Sequence, residues 1–183
     1  MFSKYIKAAL ILLFSSLPVM ADDMMIDDFK QAPETRWRFF ADTVMGGVSS
    51  GSLRFASDSD PSFARLAGRV STENNGGFIQ MRVALPQGAP ADSEGIRLVV
   101  RGNDQRYFIH LRTIGSMLPW QYYQSGFDTS GAWTEIRLPF SSFKPSGGML
   151  RRAPRAGGLK SLGIVAYGRD HDAEIDVREV GFY

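Results

Sequence analysis

Apolar and polar residues alternate with a period of two along most of the chain, and the 3.6-residue period of an amphipathic helix is nearly absent. The alternation predicts strands over residues 37–41, 52–56, 78–85, 96–101, 107–113, 133–138, 161–167 and 173–182. Turn-forming residues separate them: Gly46-Gly47, Asn74-Asn75-Gly76-Gly77, Gly102-Asn103-Asp104, Gly131 and Gly168-Arg169-Asp170. Many short strands punctuated in this way predict an all-β sandwich or barrel. Two stretches break the pattern. Residues 87–94 form a short polar loop; residues 144–158 form a longer Gly- and Pro-rich one with Lys144, Arg151, Arg152 and Arg155 and no acid. Loops of that length inside a compact domain are often functional, so these four bases are candidate partner-binding residues; the plain alternative is a solvated crossover between sheets.

Strand faces carry a second expectation. Ile79, Met81 and Val83, Ile96, Leu98 and Val100, and Tyr107, Ile109 and Leu111 occupy alternate positions that should face the interior. The complementary positions hold Gln80 and Arg82, Arg97 and Arg101, and His110 and Arg112. If these three strands share a sheet, its outer face carries a band of arginines and one histidine. The arginine fork suits carboxylate, phosphate or sugar hydroxyls. Arg82, Arg97, His110 and Arg112 are therefore candidate ligand contacts, with Trp120 or Tyr122 to stack on a sugar ring; the alternative is a solvated face paired to acids. Trp37 and Trp133 lie in alternating segments and are expected to pack.

The N-terminus changes the charge picture. Lys4 and Lys7 precede an apolar run over residues 8–17, and Val19 and Ala21 have the small-residue spacing of a signal-peptidase site. Residues 1–21 are expected to be a leader, residues 22–183 a single domain, and the product periplasmic or secreted without a membrane anchor. The chain has 21 Lys and Arg against 19 Asp and Glu, and loss of Lys4 and Lys7 leaves it formally neutral. Nothing in that balance points to nucleic acid. No cysteine is present, so stability must come from a core.

Motifs for chemistry are weak. Gly47-Val48-Ser49-Ser50-Gly51 matches G-x-S-x-G, but a strand pattern follows where a hydrolase needs a helix. Only His110 and His171 are available, and Asp170-His171-Asp172 reads as turn chemistry. Asp58-Ser59-Asp60 lacks the glycine and distal glutamate of a calcium loop, while Asp27-Asp28 could help hold a structural calcium. No phosphate-cradling glycine run is present. The expectation is a non-enzymatic protein with no cofactor and no assigned metal.

Asp42-Thr43-Val44-Met45-Gly46-Gly47-Val48-Ser49 resembles the D-x-V-M-G-G-x-S signature of the complex I intermediate-associated protein family, whose mitochondrial member is an assembly factor for NADH:ubiquinone oxidoreductase. The likeness continues through residues 68–78, Gly95-Ile96, Arg101-Gly102-Asn103-Asp104 with Tyr107, and residues 133–140 with Phe143. It implies a galactose-binding-domain-like jelly roll, an architecture shared with carbohydrate-binding modules, and an assembly or binding role with no catalytic residues to transfer. The partner so implied is a protein or membrane complex, the alternative an envelope glycan. An exported chain does not reach the side of the membrane where the NADH-oxidising arm is built, so fold transfers more safely than task.

Overall fold

The computed structural model describes residues 23–57 and 60–183; the expected leader, and Asp58 and Ser59 of the weighed calcium loop, lie outside them. The strands are β1 (Met24–Asp27), β2 (Arg38–Ala41), β3 (Ser50–Ala56), β4 (Phe63–Val70), β5 (Phe78–Ala84), β6 (Gly95–Gly102), β7 (Arg106–Thr113), β8 (Tyr123–Asp128), β9 (Thr134–Pro139), β10 (Lys144–Pro145), β11 (Leu159–Tyr167) and β12 (His171–Phe182). They form two antiparallel sheets. The first runs β3-β4-β12-β6-β9, with β1 pairing the C-terminal end of β12; the second runs β10-β8-β7-β11-β5-β2. The result is an all-β jelly-roll sandwich. Among the described residues no helix is long and apolar enough to cross a membrane.

The nine residues expected to face inward are all at most 5% exposed, and they meet Leu66, Ile164, Ile175 and Val177 in one core. Each fully buried side chain of this size contributes about 1.5–3 kcal/mol of transfer free energy. Trp37 is also buried, while Trp133 is half-exposed and carries the Arg101 guanidinium 4.7 Å from its ring centroid. One expectation divides. β5 and β7 flank β11 in the second sheet, but β6 lies between β12 and β9 in the first. The arginine band therefore splits between opposite faces of the sandwich.

The D-x-V-M-G-G-x-S segment folds as a buried staple. Asp42–Met45 makes one 3-10 turn, and the buried Asp42 carboxylate accepts hydrogen bonds from Ser49 N (2.9 Å), Ser49 Oγ, Gly77 N and Phe78 N (3.2 Å). A Cβ at Gly47 or Gly76 would collide with that carboxylate. Burial acts to raise the Asp42 pKa, but the bonds from Ser49 Oγ and the three amides outweigh it and hold the group below its usual range. Gly47 and Gly76 thus serve close backbone approach, while Gly46 and Gly77 adopt positive φ of 91° and 125°, and together they join the β2–β3 connection to the start of β5. Ser49, the serine of G-x-S-x-G, is 1% exposed and committed to this staple. Asp27 is spent similarly: it accepts from Arg36 Nε (2.9 Å), Arg36 Nη2, Trp37 Nε1 (2.8 Å) and Phe29 N (2.9 Å).

Candidate functional site

The outer face of the second sheet is assembled by register. Across its middle, Gln124, His110, Gly163, Arg82 and Arg38 stand opposite one another on β8, β7, β11, β5 and β2. The next row is Gly126, Phe108, Val165, Gln80 and Phe40. Lys144 on edge strand β10 pairs with Gln124.

Aromatic rings build a ridge on this face. Tyr122 stacks on His110 at 4.0 Å between centroids and 12° between planes, Tyr167 meets His110 edge-on at 5.4 Å, and the Tyr122 and Tyr167 hydroxyls are 3.4 Å apart. His110 Nε2 lies 3.0 Å from Gln124 Oε1, so the neutral ring donates there. Burial lowers the His110 pKa to about 4, only partly opposed by the Gln124 bond. The imidazole is thus uncharged at neutral pH and packed beneath Tyr122. It positions the tyrosine, and Tyr122 offers the outer ring surface.

Arg82 and Arg112 lie on one side of the ridge. The Arg82 guanidinium sits 4.0 Å from the Phe40 ring centroid, and among the described residues it has neither a hydrogen bond nor an acid partner. Burial first, and then the neighbouring Arg112, push the Arg82 pKa down. Arg112 Nη2 donates to the Ser116 and Leu118 carbonyls at 3.0 and 3.1 Å, fixing the 114–122 loop that presents Trp120, 65% exposed. Its buried Nε–H finds no acceptor among the described residues. On the other side a groove of about 530 Å³ runs past Tyr122, Gln124, Phe108, Arg106 and Lys144. A half-buried cation, stacked rings and amide side chains can together receive a ligand with both ring faces and negative charge.

The structure brings together Arg82, His110, Arg112 and Tyr122, with Trp120 on the adjoining loop. Arg97 is elsewhere: on the outer face of the first sheet it is held by Glu135 (2.9 Å) and Glu179 (2.8 Å). It is removed from the ligand set because β6 belongs to that sheet. Lys144 forms a strand residue rather than loop, while exposed Arg151 and Arg155 line a second cleft with Ile114 and Met149, and exposed Arg152 lies beside them in sequence. Tyr167 and Phe40 were not anticipated, and Gln80 was expected to face outward without being named as a contact. Tyr167 occupies an alternate position of the 161–167 strand, so its facing was readable, but periodicity does not say which strands are neighbours.

The fold is shared with solved carbohydrate-binding modules. The family 11 module of cellulosomal cellulase Lic26A-Cel5E of Clostridium thermocellum matches with a TM-score of 0.71 and 16% identity, over 89% of this chain and 95% of that one. A family 11 module from the same organism, in complex with a β-1,3-1,4-mixed-linked tetrasaccharide, matches at 0.69 and 16%, over 87% and 94%. An exo-β-agarase matches at 0.57 and 9%, over 88% of this chain and 25% of its own. No curated protein matches in sequence. The family model of complex I intermediate-associated protein 30 (CIA30) matches residues 27–177, spanning the staple, both sheets and the face described above, and the chain belongs to that family.

Proposed function

We propose that the chain is an exported, non-catalytic binding module whose ligand face is the outer face of the second sheet, and that the ligand is a saccharide bearing carboxylate or phosphate groups. The observation that carries this reading is Arg82: a partly buried guanidinium laid on Phe40, beside Arg112, with no acid among the described residues to neutralise it. The sugar class is supported by the Tyr122 ring next to the groove and by the carbohydrate-binding neighbours of the same fold. A non-catalytic role fits the commitment of Ser49 to Asp42 and the burial of His110 beneath Tyr122. The leader expected over residues 1–21 is what supports export.

The test is binding of the purified sandwich to immobilised acidic and neutral polysaccharides. Acidic polymers should bind, and Arg82→Ala should weaken binding by about tenfold or more, the scale of one charge-assisted hydrogen bond. Arg97→Ala, altered on the opposite sheet, should bind as the parent does. Equal binding of neutral polymers, or full binding by Arg82→Ala, would defeat the reading.

Family membership favours a second reading, an assembly module that contacts a protein or membrane-complex partner through Lys144, Arg151, Arg152 and Arg155. An in-cell crosslinking pull-down with the Arg151/Arg152/Arg155 triple alanine variant tests it. A specific protein lost in the variant is the expected result, and no protein recovered counts against it.

A further inference from the structure

One end of the sandwich, bordering the saccharide face at Trp120 and Lys144, combines protruding apolar side chains with a set of bases. The loop over residues 114–122 exposes Ile114 (69%), Met117 (82%) and Trp120 (65%), and the loop over residues 146–158 exposes Met149 (80%). The two loops are tied together: Ile114 N donates to Gly158 O at 2.9 Å, Ser146 Oγ to Trp120 O at 2.8 Å, and Ser146 N to Tyr122 O at 2.9 Å. Leu150 and Ala156 pack on the core, and the buried Pro154 helps seat the second loop. These apolar side chains are therefore held outward by anchored backbone. Around them stand exposed Lys144, Arg151, Arg152 and Arg155, with no acid in residues 113–127 or 144–159.

Exposed apolar residues at the opposite end make a useful contrast. Val44 (71%) and Met45 (63%) protrude from the Asp42 staple, but the turn packed against that staple carries the acid Glu73. Only the first end joins protruding apolar side chains to an unopposed set of bases. Large single side chains on loop tips, one of them tryptophan, suit the boundary between headgroups and acyl chains, where an amphipathic ring has one wet and one apolar side. Surrounding bases are attracted to anionic headgroups at about 1 kcal/mol each. A protein partner would more usually be met by a fully desolvated central patch with a polar rim, whereas here the bases are interleaved with the apolar tips.

We propose that this end docks on an anionic lipid bilayer, with Ile114, Met117, Trp120 and Met149 entering the interface and Lys144, Arg151, Arg152 and Arg155 contacting lipid phosphates. The surface meets the Arg82 face only at Trp120 and Lys144, and the part formed by Ile114, Met117, Met149, Arg151, Arg152 and Arg155 does not depend on the saccharide reading.

The experiment is co-sedimentation of the protein with vesicles of phosphatidylcholine, or of phosphatidylcholine mixed with phosphatidylglycerol, using chains with and without residues 1–21. The shorter chain retains every strand described above, so binding by it cannot come from the apolar leader. It should bind the mixed vesicles, weaken with salt, and show a blue shift of tryptophan emission. Trp120 should be the origin of the shift, so Trp120→Phe should abolish it while Trp37 stays buried. Arg151→Ala/Arg152→Ala/Arg155→Ala should lower partitioning roughly a hundredfold, from about 1 kcal/mol per base. Met117→Ser/Met149→Ser should weaken it without changing the salt slope. Absence of vesicle binding by the shorter chain, no blue shift, or binding indifferent to the triple alanine change would overturn the proposal. So would a protein partner that needs these residues while vesicles are ignored. Loss of polysaccharide binding in Arg82→Ala with vesicle binding intact would separate this surface from the Arg82 face.

Discussion

The outer faces of the two sheets both carry arginine, but most of it is paired to acids on the first and most of it is not on the second. On the first sheet Arg65 and Arg101 share the buried Asp176 carboxylate at 2.6 and 2.9 Å, Arg97 lies between Glu135 and Glu179, and Arg69 meets Asp172. On the second sheet the ion pair Arg106–Asp128 sits at one end, while Arg82 and Arg112 repel one another with no acid beside them among the described residues. Arg38, opposite Arg82 in register, turns its guanidinium to the Glu34 and Trp37 carbonyls. Like charges facing each other across strands cost stability. Self-complementary charge leaves little to offer a ligand, whereas an uncompensated, partly buried cation departs from the local rules for stability in the way functional surfaces do. The first face is thus read as scaffold and the second as the working surface.

The largest expected effect comes from the staple on which both faces depend. Asp42→Ala strands the amides of Ser49, Gly77 and Phe78 and the Ser49 hydroxyl, and should cost about 3–5 kcal/mol, the range of a broken buried polar network. Denaturant unfolding measures it. A loss well below this would mean that the signature residues matter for contact rather than for fold. Next comes Asp176→Ala on the first face, which leaves Arg65 and Arg101 unpaired; about 3 kcal/mol is expected, the lower end for breaking a buried pair because both arginines are partly exposed. Polysaccharide binding should persist at temperatures where this variant remains folded. Its loss there would end the division of labour between the faces.

The sequence made the sandwich legible because its core strands alternate strongly: all eight anticipated strands exist, and every side chain expected to face inward does so. The strands it did not reveal have weak signals. β4 faces inward with Ala64 and Gly68 between Leu66 and Val70 and carries Ala67 on its outer face, and β8 puts Ser125 between Tyr123 and Phe127. β1 and β10 are only four and two residues long, so each of these strands gives little hydrophobic contrast. The site was half legible for a different reason. Facing is a local property, so Arg82, His110, Arg112 and Arg97 were all correctly turned outward; sheet membership is not local, so Arg97 was grouped with residues on the other side of the molecule. His110 was visible as a residue, but its burial beneath Tyr122 depends on a loop returning over the sheet.

That burial gives the next prediction, in pH. The folded-state pKa of His110 is about 4 against an ordinary 6.5. Between those values the unfolded chain binds a proton that the folded chain does not, so this contribution to stability is complete above pH 6.5 and declines as pH falls towards 4. Asp42 works in a separate window: its depressed carboxyl stabilises above the usual carboxylate range and loses that contribution at lower pH. His110→Gln should reduce the slope of the stability profile between pH 4 and 6.5, with His171, whose pKa burial also lowers, keeping its own share, while leaving the Asp42-dependent fall in acid. An unchanged slope would show that the imidazole is solvated and that the ridge on the second face is open.

The smallest expected effect sharpens the contrast most. Arg82→Met keeps an apolar stem over Phe40 and removes the charge. On the first face the comparable removal of a charge breaks an ion pair; here it relieves repulsion from Arg112 and the desolvation of an unpaired cation. The loss of the cation–π contact offsets about 0.5–2 kcal/mol of that gain, so the net change should lie within about 1 kcal/mol of zero, with stabilisation the expected sign. Arg101→Met, made beside it, should destabilise, because Asp176 then keeps only Arg65. Thermal unfolding of the pair at low and high salt separates the cases: screening should narrow the gain in Arg82→Met and change the loss in Arg101→Met less, since the Asp176 carboxylate is 3% exposed. Equal losses in the two variants would mean that Arg82 is held by the fold as firmly as Arg101, and that its missing acid is no sign of a ligand.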